Sequence, residues 1–376
     1  MRTAVIAGVM CALAGAVHAD DEFAGASVIF ARGSSLYRVD PRGKGETEIA
    51  TMAAPGIKIA VRALRTDAQG KVLLVDVGGK WSFLPLDGST KTLTELPCAD
   101  GPAQIAEDAT LLLCRSASGG SLIVSLPDVR QREIEVPPTG TRMVNTGPER
   151  RVIWADKTGV WSALTRDLKL RQQVAAEAPL RSFLPSPDGQ RAVGVYTDKV
   201  YTSIKDTKPA DVLMGFALDG QAARRKAIKG GVPIEWSHDS KWVLVQDGGS
   251  ACIMMANGGQ YKCWKGYTGA SVASDGRWGL VLGNRDGSKK QSAAKKGSKP
   301  KTKGKASKDT EPTDEPESAT YGTDVRVDDV EVAPPSGPLA LYRAQLEGAF
   351  SVAPTLIVKV VDGAAVWIPP PVRPPL

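Results

Sequence analysis

The stretch FLPSPDGQRAVGVY, residues 183–196, sets a short apolar strand, a Ser-Pro-Asp-Gly turn and a second apolar strand in immediate succession. Asp188 can accept hydrogen bonds from nearby backbone amides and Gly189 accepts a left-handed conformation, so the unit reads as a tight turn between two strands. The same order returns along the chain. Asp67-Ala68-Gln69-Gly70 precedes KVLLVDV, Glu107-Asp108-Ala109 precedes TLLLC, and Gly147-Pro148-Glu149-Arg150 precedes RVIWAD. Ser237-His238-Asp239-Ser240 precedes KWVLVQD, Ser274-Asp275-Gly276 precedes RWGLVLG, and Val361-Asp362-Gly363 precedes AAVWIP.

The turns at 67, 108, 148, 188, 239 and 275 recur with a period of about forty residues, the spacing of a repeat architecture. The longer interval from 188 to 239 is expected to hold its extra residues in a second-to-third loop, Thr197–Asp211, and the interval to the turn at 362 matches once the charged segment 288–331, in the same kind of loop, is set aside. Each period offers further short strands, as in KWSFLPLDG followed by TKTLTEL, and no stretch carries a sustained helical stripe. Four antiparallel strands in about forty residues is the size of a propeller blade, and radial repetition protects sheet edges. The expected fold is therefore all-β: a β-propeller of about seven four-stranded blades. The N-terminal blade looks incomplete (SVIFARG, LYRVDP, ETEIA), so TLIVKVVDG and AVWIP at the C-terminus are expected to complete it and close the ring. An open solenoid would need polar end caps, and none is evident.

The motif resembles the TolB-type propeller repeat, a relative of the WD-type repeats: an aromatic, Ser-Pro-Asp-Gly, one or two polar residues and an aliphatic strand. The best copies are FLPSPDGQRAVGVY, IEWSHDSKWVLVQ from Ile234 and ASVASDGRWGLVL from Ala270. The resemblance implies that Asp188-Gly189, Asp239 and Asp275-Gly276 mark turns joining a blade's innermost strand to its second. It covers the repeats alone. The first strand lies within about ten residues of the expected leader cleavage site, so TolB's N-terminal α/β domain has no counterpart, and TolB's partnerships do not transfer with the fold.

Arg2, an apolar run to Val17, and Val17-His18-Ala19 before Asp20-Asp21-Glu22 read as a secretory signal peptide over residues 1–19. The run is too short for a membrane span, no later stretch is apolar enough for one, and Gly8-Val9-Met10 before Cys11 is a poor lipobox. The expected organisation is blades over 20–287, a disordered lysine-rich then acidic insert over 288–331, the end of the last blade and ring closure over 332–368, and a proline-rich tail over 369–376. The expected location is periplasmic or secreted.

Cys98, Cys114, Cys252 and Cys263 form an even set in a chain bound for an oxidising compartment, so disulfides are expected. In CIMMANGGQYKC a two-residue hairpin turn at Asn257-Gly258 pairs Ala256 with Gly259. Stepping outward brings Cys252 opposite Cys263, in a hydrogen-bonded pair with Cα atoms about 5.5 Å apart. Cys98 then pairs with Cys114 by elimination.

The chemistry of known enzyme classes is mostly missing. There is no Gly-x-Ser-x-Gly, no Walker loop and no complete dinucleotide fingerprint. His238 occupies the proline place of a repeat turn and reads as structural. Asn284-Arg285-Asp286-Gly287 is half a calcium loop, without the further carboxylates a site needs. No catalytic residue, cofactor or metal ligand is assigned. The tryptophans at 154, 236, 242 and 278 fall in repeat cores and read as blade packing. The net charge of +7 owes little to the lysine block, because the nine lysines between Lys289 and Lys308 are followed by nine acids between Asp309 and Glu331 and, with Arg326, segment 288–331 nets only +1. Nucleic acid is not implied. The expected function is a non-enzymatic binding or scaffolding module of the bacterial cell envelope, a monomer engaging an envelope protein or anionic envelope polymer through one propeller face. The alternative is a carbohydrate-active enzyme, a glycosidase or lyase using carboxylates in the central channel.

Overall fold

The computed structural model describes residues 23–53, 60–135, 142–146, 149–156, 159–166, 170–175, 180–201, 207–218, 225–228, 231–256, 260–284, 339–346 and 353–370. The expected signal peptide, the insert 288–331 and most of the proline-rich tail lie outside them, as does the turn Asn257-Gly258. The described residues form strands and turns, with no helix among them.

The strands make seven four-stranded antiparallel sheets. Blade two runs outward as β4 (Val61–Thr66), β5 (Val72–Val77), β6 (Lys80–Pro85) and β7 (Thr94–Glu95). Blade three is β8 (Ala103–Ile105), β9 (Leu111–Arg115), β10 (Ser121–Ser125) and β11 (Arg130–Ile134). Blade four is β12 (Arg142–Thr146), β13 (Glu149–Asp156), β14 (Gly159–Leu164) and β15 (Leu170–Ala175). Blade five is β16 (Ser182–Pro185), β17 (Arg191–Tyr201), β18 (Thr207–Ala217) and β19 (Arg225–Ile228). Blade six is β20 (Gly231–Trp236), β21 (Trp242–Asp247), β22 (Ser250–Met255) and β23 (Tyr261–Lys265). Blade seven is β24 (Tyr267–Val272), β25 (Trp278–Asn284), β26 (Leu339–Gln345) and β27 (Thr355–Val361).

Blade one joins the two ends of the chain, with β28 (Ala365–Ile368) innermost, then β1 (Ser27–Arg32), β2 (Ser35–Val39) and β3 (Thr47–Thr51). Antiparallel pairing of Ser27 with Ile368 and Phe30 with Ala365 closes the ring. The innermost strands touch in the cyclic order β28, β4, β8, β12, β16, β20, β24 and back to β28. The C-terminal contribution is narrower than the sequence suggested. TLIVKVV is the outer strand of blade seven, and only AVWI enters blade one. The turn at Asp362-Gly363 therefore links two blades, and the gap between chain ends takes the place of blade one's own inner-to-second turn.

Seven apolar clusters fill the spaces between neighbouring blades. Alternation along a strand feeds two of them at once. In β1, Val28 and Phe30 face blade seven while Ile29 and Ala31 face blade two. In β21, Val243 and Val245 face blade five while Trp242 and Leu244 face blade seven. Phe23, six per cent exposed, packs on Trp278 and Trp367 between the last blade and the first, with Arg42 and Arg343 over its ring.

The repeat turns are closed by side chains. The Ser186 hydroxyl accepts from Arg191 N at 3.0 Å and Asp188 accepts from Gln190 N at 3.0 Å. Ser237 accepts from Trp242 N and Asp239 from Lys241 N in the same way. The left-handed place is taken by Gly70, Ala109, Gly189, Ser240 and Gly276, with φ between 58° and 67°. Ala109 is the apolar exception, at φ 62°. An L-residue there costs about 1 kcal/mol that glycine avoids. Ala109→Gly is therefore expected to stabilise the fold by up to about 1 kcal/mol, read as a higher midpoint in chemical denaturation. A lower midpoint would contradict it.

Hydrogen bonding also realigns two turns. The Asp67 carboxylate accepts in the place of the Ser186 and Ser237 hydroxyls, since its Oδ1 takes hydrogen bonds from Lys71 N and Val72 N at 2.8 Å each. Ala273, not Ser274, holds the serine place in blade seven, with Ala273 N donating to Trp278 O.

Candidate functional site

Strand direction gives the ring two unlike faces. The inner-to-second turns, carrying Asp188, Gly189, Asp239, Asp275 and Gly276, lie on one, the turn face. The second-to-third turns and the links between blades lie on the other, the connection face.

Two pairs of neighbouring blades are bonded to each other on the turn face. Asp188 N donates to Ser240 Oγ at 3.1 Å, joining blades five and six, and Arg150 pairs with Asp108 across blades four and three. The turn cations are paired locally as well, Lys241 with Asp239 at 3.1 Å and Arg277 with Asp275 at 3.7 Å. His238 sits among these groups as a part-buried turn residue. The repeat-turn residues thus hold blades together.

The channel is lined by the innermost strands, whose inner edges are bridged by side chains. Gln104 of β8 donates to Met143 O at 2.8 Å and accepts from Met143 N at 2.7 Å on β12. Trp236 of β20 donates to Leu184 O at 3.0 Å, and Glu235 accepts from Val272 N at 2.7 Å. Glu235 is the single carboxylate on the seven innermost strands, which also carry Arg62, Arg65 and Arg142.

The connection face carries the elaborations. In blade five β17 and β18 pair as one hairpin from Arg191↔Ala217 to Tyr201↔Thr207. The sequence placed Thr197–Asp211 in a loop; instead Thr197–Tyr201 and Thr207–Asp211 are paired strand, with 202–206 outside the described residues. Flanking strands stop at Val195 and Asp211, so the last four rows stand beyond the blade by about 14 Å. In blade seven, residues 285–338 join β25 to β26 at the same kind of position, between Asn284 and its partner Leu339.

Arg62 lies at a bulge in β4 on this face, where its Nε donates to Asp76 Oδ2 at 3.0 Å and its guanidinium pairs with Asp100 of the link into blade three. These bonds, to Asp100 first and Asp76 second, raise the Arg62 pKa above its ordinary value. A Cβ on Gly79 would meet Asp100 Cγ at 3.0 Å, so the glycine makes room for the network. The hydrogen bond from Arg62, then desolvation working against it, then the Arg62 charge leave the Asp100 carboxyl below its usual range. A depressed carboxylate contributes stability above its unfolded pKa near 4, lost as pH falls through the folded value. Asp100→Asn is expected to flatten the fall in stability below about pH 4, measured as denaturant midpoints from pH 7 to pH 3. An unchanged slope would contradict it.

Both disulfides form: Cys98–Cys114 ties that same link to β9, and Cys252–Cys263 joins β22 to β23. The cross-strand register of the second is as the sequence implied, but its bonding phase is not. Met255 N donates to Gln260 O, so the hairpin closes at 255/260 and the cysteines occupy a non-hydrogen-bonded row, Cα atoms 4.0 Å apart.

Sequence reasoning missed Gln104, the Arg62–Asp76–Asp100 network and Phe23. Each joins residues distant in the chain, and only the isolated Asp-Gly at 100–101 hinted at a built loop.

No protein-family model matches the chain, and no curated protein matches it in sequence. Among solved structures, it is similar to hydrazine synthase of Kuenenia stuttgartiensis, at 14% identity and TM-score 0.44 over 59% of this chain and 73% of that one. It is similar to TolB from Acinetobacter baumannii, at 12% identity and TM-score 0.44 over 63% of this chain and 62% of that one, under two thirds of its length. A putative TolB from Agrobacterium tumefaciens gives 14% identity and TM-score 0.41 over 63% and 87%. The ring itself rests on strand order and register: the chain folds as a seven-bladed β-propeller.

Proposed function

We propose that this protein is a non-enzymatic binding or scaffolding module of the bacterial cell envelope, periplasmic or secreted and monomeric, that engages a protein partner through the connection face. The observation that carries the reading is the concentration of elaboration there: the extended β17–β18 hairpin and the 285–338 segment both depart from second-to-third positions. Loops on a rigid scaffold are where recognition is placed. On the turn face, by contrast, Asp188, Ser240, Arg150 and Asp108 tie neighbouring blades to each other. Two disulfides and the leader-like N-terminus support an oxidising location. No helix among the described residues is long and apolar enough to cross a membrane.

The lysine block adds salt-sensitive attraction if the partner surface is anionic. The carbohydrate-active alternative needs two carboxylates facing each other, and the innermost strands supply Glu235 alone, already bonded to Val272 N. The test compares partner recovery from the envelope fraction by the wild type, by a deletion of Ser288–Glu331, and by a replacement of residues 197–211 with a short turn. Recovery should fall for both variants, the deletion losing most at low salt. Undiminished recovery by both, with the fold intact, would move the binding site elsewhere.

A further inference from the structure

The second disulfide has company. Cys252 Sγ, Cys263 Sγ and a carboxylate oxygen of Asp247 lie within 4.8 Å of one another. Among the described residues this is the one group of three such ligands, and Cys98–Cys114 belongs to none. The grouping follows from the sheet: Val245, Cys252 and Cys263 share a row of blade six, and Asp247 ends β21 two residues further on the same side.

We propose that Cys252, Cys263 and Asp247 form a redox-gated site for a thiophilic divalent cation of the zinc class, sealed as a disulfide in the oxidised chain and competent when reduced. Tetrahedral zinc takes thiolate sulfur at about 2.3 Å and carboxylate oxygen at about 2.0–2.2 Å, which sets its ligands about 3.5–3.8 Å apart. Side-chain rotation reaches that spacing from the observed grouping, and the paired strands hold both cysteine Cα atoms in place. Cys252 is buried, Asp247 half-buried and Cys263 exposed, so an ion reaches the group from the Cys263 side. The Tyr261 hydroxyl donates to Asp247 Oδ2 at 3.0 Å, a second layer of the kind that orients a ligating carboxylate.

The chemistry balances. A dithiol reductant delivers two electrons and two protons, the protein S–S bond breaks to two thiols, and the reductant closes to its own disulfide. The cation then displaces both thiol protons to solvent as two metal–sulfur bonds form, with Asp247 as third ligand and water as fourth.

The probes are Co²⁺ and Zn²⁺ added to the whole mature chain, oxidised or reduced by a phosphine, without oxygen. The reduced chain should show thiolate-to-cobalt absorption saturating at one equivalent, bleached by Zn²⁺, and the oxidised chain none. Alkylation mapped by mass spectrometry should find Cys252 and Cys263 protected by Zn²⁺ while Cys98 and Cys114 react. Asp247→Asn keeps both thiols and is expected to weaken cobalt binding by about tenfold. Absence of the absorption in a reduced chain that keeps its circular dichroism would overturn the proposal. So would equal protection of the two cysteine pairs, unchanged affinity in Asp247→Asn, or a fold lost on reduction that Zn²⁺ does not restore.

Discussion

Deletion of Ala364–Leu376 is expected to leave a chain without a cooperative unfolding transition. That segment contains β28, whose four residues are all buried, and they serve the clusters on both sides of blade one. Removing Val366, Trp367 and Ile368 forfeits about 1.5–3 kcal/mol of burial each. It also bares β1, whose partner on that side is β28. The sum rivals the about 5–15 kcal/mol that stabilises a whole domain. Joining Pro370 of the full-length chain to Phe23 by a short linker and opening the ring instead at another inner-to-second turn should keep the transition, because the pairing survives while the termini move. A truncated chain that unfolds with the parent's midpoint and slope would show that β28 does not close the ring.

The second large effect is expected at Asp67. Its side chain is fully buried and accepts from Gln69 N at 3.0 Å and from Lys71 N and Val72 N at 2.8 Å. Space is no obstacle to shortening it, since Ala106 and Ala273 hold the equivalent place in blades three and seven. Those turns have Asp108 and Asp275 to accept from Thr110 N and Arg277 N, whereas blade two has Gln69 there. Asp67→Ala therefore leaves three amides without their acceptor and should cost about 2–3 kcal/mol, as hydrogen bonds to charged groups do. Asp67→Ser, which copies blades five and six, should cost about half as much. Equal midpoints for the parent and Asp67→Ala in denaturant would show that the carboxylate does not hold the turn.

The blade count and the ring were legible because turn chemistry and strand periodicity are local properties that recur. The errors came where local chemistry is ambiguous. Val361-Asp362-Gly363 has the residues of a repeat turn, and Gly363 is left-handed at φ 101°, yet the turn links two blades. Only the long-range pairing of β28 with β1 distinguishes the cases. Residues 197–211 show no apolar alternation, and the strands that flank the hairpin pair with it only up to Val195 and Asp211, so pattern alone could not mark them as strand. The Cys252–Cys263 register was legible because pairing on either side of a hairpin is symmetric. Its hydrogen-bond phase depends on loop length, and the Met255–Gln260 closure settles that. The Arg62 network and the Gln104 bridge join separate blades, and nothing in the spacing of those residues announces them.

The most direct measurement of which face recognises a partner is hydrogen–deuterium exchange of the mature protein, alone and with the envelope protein it recovers. Slower exchange is predicted on the connection face: the β17–β18 hairpin beyond Val195, the turns at Gly78-Gly79 and Gly248-Gly249, and the link held by Cys98–Cys114. Protection confined instead to the repeat turns at 67–70, 186–189, 237–240 and 274–276 would contradict the proposal and place recognition on the opposite face.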